Sequence, residues 1–254
     1  MKKKFSEYIG CHGSVALASS TAGKLLVPKA FGKTATTNEF IRHAGYFDYR
    51  QRIKHSAVSA EKYARRKPHK HQAEMALIEK GFKLLNDVKN VLDAPCGVGR
   101  ATIWLAQRGY QATGIDLGKA AIRATREEIR KQGLPATALI DNIERMSFAD
   151  QSFDVTLCFR LFHHFPNQTI RGNIVRELCR VSKRYILISY LTPWSPTSMG
   201  RMARNKLFGT PIKQHATSLK EVTGYFKGHG FKLVTDIPQK AFIHSLHLAV
   251  FERT

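Results

Sequence analysis

Acidic side chains are scarce in this sequence. Only 19 of its 254 residues are Asp or Glu, against 41 Lys or Arg, so the formal net charge is +22. A protein with this balance favours an anionic partner, and three kinds remain open: nucleic acid, an acidic membrane surface or a phosphorylated substrate.

Two other features are missing. No stretch approaches the ~18 consecutive apolar residues of a membrane-spanning helix. The four cysteines form no CxxC pair and no metal-ligand spacing, so we expect no bound metal, and Cys158 and Cys179 are predicted to be small buried residues. Reduced cysteines indicate a cytoplasmic protein, and attachment to the inner membrane surface is compatible with that location. A transit peptide in the acid-poor N-terminus is the alternative.

The apolar pattern divides the chain into a basic, partly ordered extension over 1–54 and one α/β domain over 55–254. Within the domain, 55–88 has helical spacing, with a break at Lys67-Pro68 because proline disfavours helix in the preceding residue. The cofactor-binding core follows over 89–190, then a basic insertion over 191–217, and a C-terminal helix and hairpin over 218–254.

The core and C-terminal region contain alternating strand and helix signals. We predict strands over 91–94, 112–116, 136–140, 153–158, 185–190, 231–237 and 241–252, and helices over 100–107, 120–131, 167–181 and 219–227. Alternation indicates parallel strands with right-handed crossovers, whereas the short link at 238–240 suits only an antiparallel pair. The expected fold is a Rossmann-like, mostly parallel seven-stranded sheet that ends in an antiparallel hairpin.

The first predicted strand ends in the turn VLDAPCGVGR at 91–100. Glycines such as Gly97 and Gly99 permit close approach of a ligand to the backbone, and the following helix offers N–H donors at its start. Thr102 stands where a dinucleotide fingerprint needs its third glycine, and no phosphate-binding Gly-Lys-Ser/Thr sequence is present. A tight turn without a ligand is the simpler alternative for this motif taken alone.

Three acids follow the first three predicted strands. They are Asp93, Asp116 in GIDLG (114–118) and Asp141 in ALIDNIERMSF (138–148). Ligands of open parallel sheets bind beyond the carboxyl ends of the strands, and a carboxylate there can accept both hydrogen bonds of a ribose diol.

Together these segments resemble class I S-adenosylmethionine-dependent methyltransferases. VLDAPCGVGR is similar to the first motif of that family, and the resemblance extends over 91–253, with Pro95 in place of the usual first glycine. It implies that Asp93, Gly97 and Gly99 surround the methionine end of S-adenosylmethionine, that Asp116 holds the ribose hydroxyls and that Asp141 accepts from the adenine amino group. The full set of cofactor-binding residues implied is Asp93, Ala94, Pro95, Cys96, Gly97, Gly99, Asp116, Leu117, Asp141, Asn142 and Phe159.

The segment after the fourth strand, FRLFHHF (159–165), is expected to face the transferred methyl group. A hydroxyl acceptor benefits from a nearby base, and histidine titrates near neutrality, so His164, or else His163, is the candidate catalytic base. Packing or helix capping by these histidines is the alternative. Arg160 is a candidate grip for an anionic substrate group, or a solvated loop residue.

Two basic segments, 46–71 and 191–220, are candidates for the substrate side. The second has five Lys or Arg and no acid, with apolar residues interleaved, and it includes the candidate substrate ligands Arg201 and Arg204. Such a segment suits an anionic membrane surface or RNA, and an ordinary solvated lid is the plain alternative.

The choice of substrate rests on a second resemblance. The Pro-Cys-Gly turn, YRQRIKHSA (49–57) and the basic insertion look like a bacterial branch associated with lipopolysaccharide biosynthesis. That implies O-methylation of an anionic glycolipid sugar resembling Kdo. One alternative is an RNA methyltransferase, although this chain lacks the Asn/Asp-Pro-Pro-aromatic sequence of enzymes that methylate the amino groups of bases. The other alternative is a non-catalytic adaptor.

Overall fold

The computed structural model describes residues 68–208, 214–241 and 243–254. Its strands are β1 (Asn90–Asp93), β2 (Gln111–Asp116), β3 (Ala136–Ile140), β4 (Phe153–Cys158), β5 (Ser182–Leu191), β6 (Phe231–Pro238) and β7 (Leu246–Arg253). They form one seven-stranded sheet in the order β3-β2-β1-β4-β5-β7-β6. The pairs from β3 to β5 are parallel, and β7 is antiparallel to both β5 and β6. The predicted fold class is confirmed.

The described residues form six helices, and the second, third and fourth connect parallel strands as the alternation predicts. They are α1 (Pro68–Phe82), α2 (Arg100–Ala106), α3 (Lys119–Gln132), α4 (Gln168–Val181), α5 (Pro196–Phe208) and α6 (Leu219–Phe226), with a short 3-10 helix at Phe162–His164. Local signals fix several ends: Gly133 takes a left-handed conformation (φ 61°) after α3, and the Asn167 side chain accepts from the Thr169 N–H at the start of α4.

Two packed layers cover the sheet. One consists mainly of α4 and α6 residues against β4 and β5, and Phe226 stacks on Phe251 with ring centroids 3.7 Å apart. The other joins α1 and α2 to β1, β5 and β7 through residues such as Ile78 and Leu105, both fully buried. Burial of both faces explains why the strands read as continuous apolar runs.

Two predictions about boundaries are wrong, and one element was missed. The last strand begins at Leu246 rather than at 241, because a turn occupies the preceding residues: the Gln239 N–H donates to the Leu246 carbonyl, and the Leu246 N–H donates to His244 Nδ1. The strand predicted at 185–190 extends over Ser182–Leu191. The basic insertion contains helix α5, which the sequence reading left without structure.

The predicted extension over 1–54 and the first leading helix, with the segment 46–67, lie outside the described residues. The second leading helix is α1, and it begins at Pro68, a position where proline's missing N–H costs no hydrogen bond. None of the described helices is long and apolar enough to cross a membrane.

Candidate active site

The glycine turn links the ends of three neighbouring strands. The Ala94 N–H donates to the Leu157 carbonyl of β4 (2.9 Å), and the Cys96 N–H donates to the Ile115 carbonyl of β2 (2.7 Å). The Ala94–Pro95 peptide bond between them is cis, which is where this chain departs from the usual glycine. The turn therefore continues the sheet on both sides and places its remaining backbone at the carboxyl edge.

The two glycines of the turn have different roles. Gly97 has a φ of 58°, lines the cleft beside the turn and donates its N–H to Asp116 Oδ2 at 3.0 Å. Gly99 (φ 76°) does not line the cleft; a Cβ there would lie 2.3 Å from the Thr125 side chain of α3. Ligand approach is predicted at both positions. Gly97 lies at the cleft, whereas the absence of a Cβ at Gly99 leaves room for Thr125 of α3.

Asp93, at the end of β1, is almost completely buried. The pKa of its carboxyl is raised to about 7, mainly by burial and also by the charge of Asp116. The Thr102 hydroxyl, which donates at 2.7 Å, and the charge of Arg100 act in the opposite direction. The sequence analysis used Thr102 only to exclude a dinucleotide fingerprint. The structure shows that its hydroxyl orients the Asp93 carboxyl. Cys96 is also buried here, and burial raises the pKa of its thiol, so it is an unreactive packing residue.

The raised pKa of Asp93 predicts a pH dependence of stability. Because the folded-state pKa lies above the unfolded value, the stabilising contribution is complete below about pH 4 and is lost as the pH rises through about 7. Between these values we expect the free energy of unfolding of wild type, relative to Asp93→Asn, to fall by about 1 kcal/mol per pH unit. Denaturant unfolding of the ligand-free protein from pH 5 to 8 measures this difference, and curves that run parallel for the two proteins would contradict it.

Asp116, at the end of β2, is held by two backbone donors. The Gly97 N–H binds Oδ2 at 3.0 Å and the Gly118 N–H binds Oδ1 at 2.7 Å, and the half-buried carboxylate lines the cleft. Each carboxylate oxygen has two lone pairs, so one on each remains for a second donor. A pair of vicinal hydroxyls matches this remaining capacity.

Asp141 directly follows β3 and also lines the cleft. Its Oδ2 accepts from the Ser147 N–H (3.0 Å) and hydroxyl (2.9 Å), and its Oδ1 accepts from the Asn142 N–H (2.7 Å). These bonds fix the carboxylate at the mouth of the cleft. Ile143, buried at 2% exposure, forms an apolar wall beside it.

The two candidate histidines have different environments. His164 is half-buried at the end of the 3-10 helix and lines the cleft. His163 is fully buried, does not line the cleft, and its carbonyl accepts from the His215 N–H at 2.8 Å. The geometry therefore favours His164 as the candidate base and gives His163 a packing position, with the two rings 4.3 Å apart.

Most of the sequence-predicted cofactor residues converge on this one cleft. It is lined by Met75, Asp93, Pro95, Cys96, Gly97, Arg100, Ala101, Ile115, Asp116, Leu117, Asp141, Ile143, Phe159, Arg160, Leu161 and His164. Three predicted residues, Ala94, Gly99 and Asn142, are not part of that lining. Met75 and Arg100 are part of it and were not predicted, since neither follows a strand.

The predicted substrate residues lie at different places. Arg160 lines the cleft, with its backbone N–H donating to the buried Ser189 hydroxyl at 2.7 Å. Arg201 is half-buried on α5 and donates to the Ser245 hydroxyl at 3.3 Å. Arg204 is exposed on the same helix and does not line the cleft, so its role as a substrate ligand stays a prediction.

The cleft fits S-adenosylmethionine. Asp116 retains acceptor capacity for a ribose diol, Asp141 stands fixed beside the apolar wall of Ile143, and Asp93 is a buried acid next to the turn that suits a cationic amino group. No group of His, Cys, Asp or Glu in the described part of the chain is arranged to hold a metal ion. The hydrogen-bond acceptors of the cleft therefore match a nucleoside that bears a positive charge.

This sheet order is that of the Rossmann-like fold of class I methyltransferases. Residues 91–184 match the family model of a methyltransferase domain. Among solved structures, magnesium protoporphyrin IX methyltransferase from Synechocystis with bound S-adenosylhomocysteine superposes with a TM-score of 0.61 at 15% identity, covering 85% of this chain and 97% of that one. The PH0226 protein from Pyrococcus horikoshii gives a TM-score of 0.62 at 17% identity, covering 74% and 93%.

Named relatives share part of the sequence. Ubiquinone biosynthesis O-methyltransferase from Proteus mirabilis is 31% identical over 96 residues, which are 37% of this chain and 38% of that protein. Methyltransferase GfsG from Streptomyces halstedii is 32% identical over 94 residues, 36% of this chain and 33% of that protein. The chain therefore matches well under half the length of these relatives, and they do not support the resemblance to a lipopolysaccharide branch.

Proposed function

We propose that this protein transfers a methyl group from S-adenosylmethionine to an oxygen of an acidic, membrane-associated acceptor. The observation that supports the transfer is the convergence of Asp93, Asp116 and Asp141 on one cleft at the carboxyl edge of the sheet. S-adenosylmethionine supplies an electrophilic sulfonium methyl group. The protein then has to align the acceptor with that methyl group and exclude water.

The residues of the cleft have separate tasks in this transfer. Asp116 binds the ribose hydroxyls, Asp141 binds the adenine amino group, and ionised Asp93 binds the cationic methionine end. His164 takes the proton of the acceptor hydroxyl as the new carbon–oxygen bond forms. Phe159 and Leu161, both buried, close the apolar side of the cleft on which the methyl group is transferred.

The charge of the cleft entrance supports an anionic acceptor. Arg160 lines the cleft, and burial lowers the pKa of Arg201, helped by the charges of Arg204 and Arg160, so these cations lie close together. Among the described residues, Arg201 has no carboxylate within ion-pair distance. A sugar bearing carboxylate or phosphate groups, as in an anionic glycolipid, satisfies these cations by charge-assisted hydrogen bonds.

Helix α5 supports delivery of the acceptor from a membrane. Its packed side consists of Ser198, Arg201 and Asn205, so the exposed stripe opposite, at a spacing of four, is Met199, Ala203 and Leu207. Further exposed apolar residues adjoin the helix and the stripe. Trp194, Met199, Met202, Leu207 and Phe208 are between 60% and 84% exposed.

The cations of α5 make an anionic bilayer the expected occupant of this face. Arg204 and Lys206 flank the apolar stripe on opposite sides, and α5 contains no acid. An apolar stripe with flanking basic residues is the arrangement of helices that lie in the interface of anionic membranes. Arg201 lies on the packed side of this helix, and its pKa is lowered in part by the charge of Arg160, which lines the cleft.

Charge reversal on α5 is expected to release the protein from vesicles. Each basic residue near an anionic surface contributes about 1 kcal/mol, so Arg204→Glu with Lys206→Glu is expected to weaken binding at least tenfold. The measurement is co-sedimentation with vesicles of three parts phosphatidylcholine and one part phosphatidylglycerol. Arg123→Glu with Lys131→Glu, an equal change on exposed positions of α3, is the matched control. Equal retention of both variants would count against membrane docking.

A second candidate function comes from the named relatives. Several of these relatives are named as O-methyltransferases of ubiquinone biosynthesis. The segment of this chain that matches the methyltransferase family model contains all three acids and the candidate base. Such an acceptor is also a hydroxyl, so the same proton transfer applies. It differs from the first candidate because it does not require the cations of Arg160 and Arg201.

One experiment separates these candidates. A deletion strain is compared with its parent by mass spectrometry of the lipid A–core, quinone and RNA fractions, each searched for a species lacking one methyl group. Loss in the lipid A–core fraction supports the first proposal, and loss in the quinone fraction supports the second. Loss confined to RNA, or no loss in any fraction together with no S-adenosylhomocysteine binding, refutes O-methylation of these lipids.

A further inference from the structure

A buried carboxylate on α1 joins two arginines of the cleft. Glu74 is 1% exposed; its Oε2 accepts from Arg100 Nη2 at 2.9 Å, and its Oε1 lies 3.3 Å from Arg160 Nη1. Arg100 begins α2, next to the cofactor turn, whereas Arg160 follows β4. One carboxylate thus connects the helix that precedes the sheet to both sides of the cleft.

Arg160 is fixed by three independent constraints. Its φ of 64° is in the left-handed region that residues with a Cβ rarely adopt, so its backbone conformation is strained. The bond from its N–H to Ser189 Oγ holds the backbone, and Glu74 holds one edge of the guanidinium. The side chain is 21% exposed, so part of the guanidinium still faces the cleft. An arginine constrained in this way is pre-organised, and binding costs little conformational entropy.

The cations around Arg160 outnumber the carboxylates that face them. Among the residues described, Glu74 is the only carboxylate within 4 Å of Arg160, and it also serves Arg100. Arg201, whose pKa is lowered in part by the charge of Arg160, binds the Ser245 hydroxyl. His244, next to Ser245 in the chain, accepts the Leu246 N–H at Nδ1. This bond leaves the other ring nitrogen, Nε2, as the protonated donor of neutral His244.

The charges of these groups act on one another. Burial lowers the pKa of His244, and the charges of Arg160 and Arg201 lower it further, with Glu74 opposing them and Lys70 adding to them. A site that disfavours another positive charge favours an anion. The neutral imidazole can donate to such an anion without adding to the repulsion between the two arginines.

We propose that Glu74 is a positioning residue that holds Arg160 so that Arg160 and Arg201, with His244, bind an oxyanion of the acceptor. The oxyanion is a phosphate or a carboxylate, since a guanidinium recognises both through paired hydrogen bonds. This inference rests on the proposed function, because it concerns the acceptor side of the same cleft. It makes acceptor recognition depend on a helix that lies outside the cofactor-binding core.

The test uses S-adenosylhomocysteine-loaded protein titrated with inorganic phosphate and, separately, with acetate. Chemical shifts of the arginine Nε–Hε groups are followed by NMR, at ionic strength held constant with chloride. We expect saturable shifts with one of the two anions, at least tenfold weaker binding in Arg160→Ala and several-fold weaker binding in Glu74→Gln. Glu79→Gln, a partly exposed position of α1 that pairs with Lys83, is the matched control and should match wild type.

The decisive comparison is a double-mutant cycle. If Glu74 acts through Arg160, then Glu74→Gln weakens anion binding in wild type and has no further effect in the Arg160→Ala background. An equal effect in both backgrounds would overturn the positioning role. Shifts that chloride alone reproduces, or no shift with either anion, would overturn the anion subsite.

Two controls keep the outcomes distinct. Glu74→Gln leaves Arg100 and Arg160 without their buried carboxylate and can lower the melting temperature, so Arg160→Lys is tested in parallel. This variant keeps the positive charge and the Glu74 carboxylate but loses the planar guanidinium, so we expect several-fold weaker anion binding. Unchanged anion binding would count against the proposal. Calorimetry with S-adenosylhomocysteine is performed first. If wild type does not bind S-adenosylhomocysteine, the proposed function is refuted. If it binds S-adenosylhomocysteine but shows no response to either anion, only the anion subsite is refuted.

Discussion

Asp116→Ala is expected to weaken S-adenosylhomocysteine binding by at least about 100-fold. In the proposed binding mode the substitution removes two charge-assisted hydrogen bonds to the ribose diol, each contributing about 1.5–3 kcal/mol. It also removes the acceptor that orients the Gly97 N–H (3.0 Å) and the Gly118 N–H (2.7 Å), so the turn loses one of its links to β2. Isothermal calorimetry of the purified protein gives the dissociation constant directly.

Two variants make this result specific to the ribose position. Asp116→Asn keeps one oxygen acceptor and should bind with intermediate affinity, whereas Asp150→Ala, at an exposed acid that pairs with Arg180, should match wild type. Melting temperatures without ligand establish that each variant is folded. Wild-type affinity in a folded Asp116→Ala protein would remove Asp116 from the cofactor site.

The cofactor side of the cleft was accessible to sequence reasoning because its positions depend on local patterns. Asp93 and Asp116 each end a short apolar strand, and parallel strands bring such ends to one edge of the sheet. Strand order and handedness restrict the topology further, so the convergence of the acids needed no knowledge of side-chain contacts. Their hydrogen bonds did need it, as Thr102 beside Asp93 shows.

The positions of the residues proposed to bind the methyl acceptor depend on contacts between segments that are distant in sequence. The spacing of apolar residues in the sequence does not predict such contacts. Glu74 and Arg160 belong to α1 and to the loop after β4, and neither has a neighbour in sequence that indicates the other. His244 was assigned to a strand because the apolar pattern over 241–252 continues through the turn that the structure shows.

Helix α5 was missed although its start carries a local signal. Ser195 precedes Pro196, and its hydroxyl accepts from the Ser198 N–H at 3.2 Å, which is the arrangement of a helix cap followed by proline at the first helical position. Gly200 and the unbroken excess of basic residues obscured the helical pattern. Because most apolar residues of this helix face outward, a search for a core-facing stripe was bound to fail.

The position of His164 follows from how the chain leaves β4. A 3-10 helix begins at Phe162, which is fully buried, and the His164 N–H donates to the Leu161 carbonyl at 2.8 Å. Packing of Phe162 and His163 into the interior therefore turns His164 towards the cleft. This alternation explains why two adjacent histidines have different environments, and it makes His164 the residue whose removal tests the chemistry.

His164→Ala is expected to lower turnover by about 100-fold or more, the usual contribution of a positioned general base. Affinity for S-adenosylhomocysteine should change less than threefold, since the three acids stay in place. Turnover is measured as transfer of labelled methyl groups to the acceptor fraction that the deletion strain identifies. His229→Ala, on a histidine that lies outside the cleft, is the control and should match wild type. A His164→Ala protein with full turnover would eliminate this histidine as the base, and a parallel loss of cofactor affinity would show that it supports the cofactor instead.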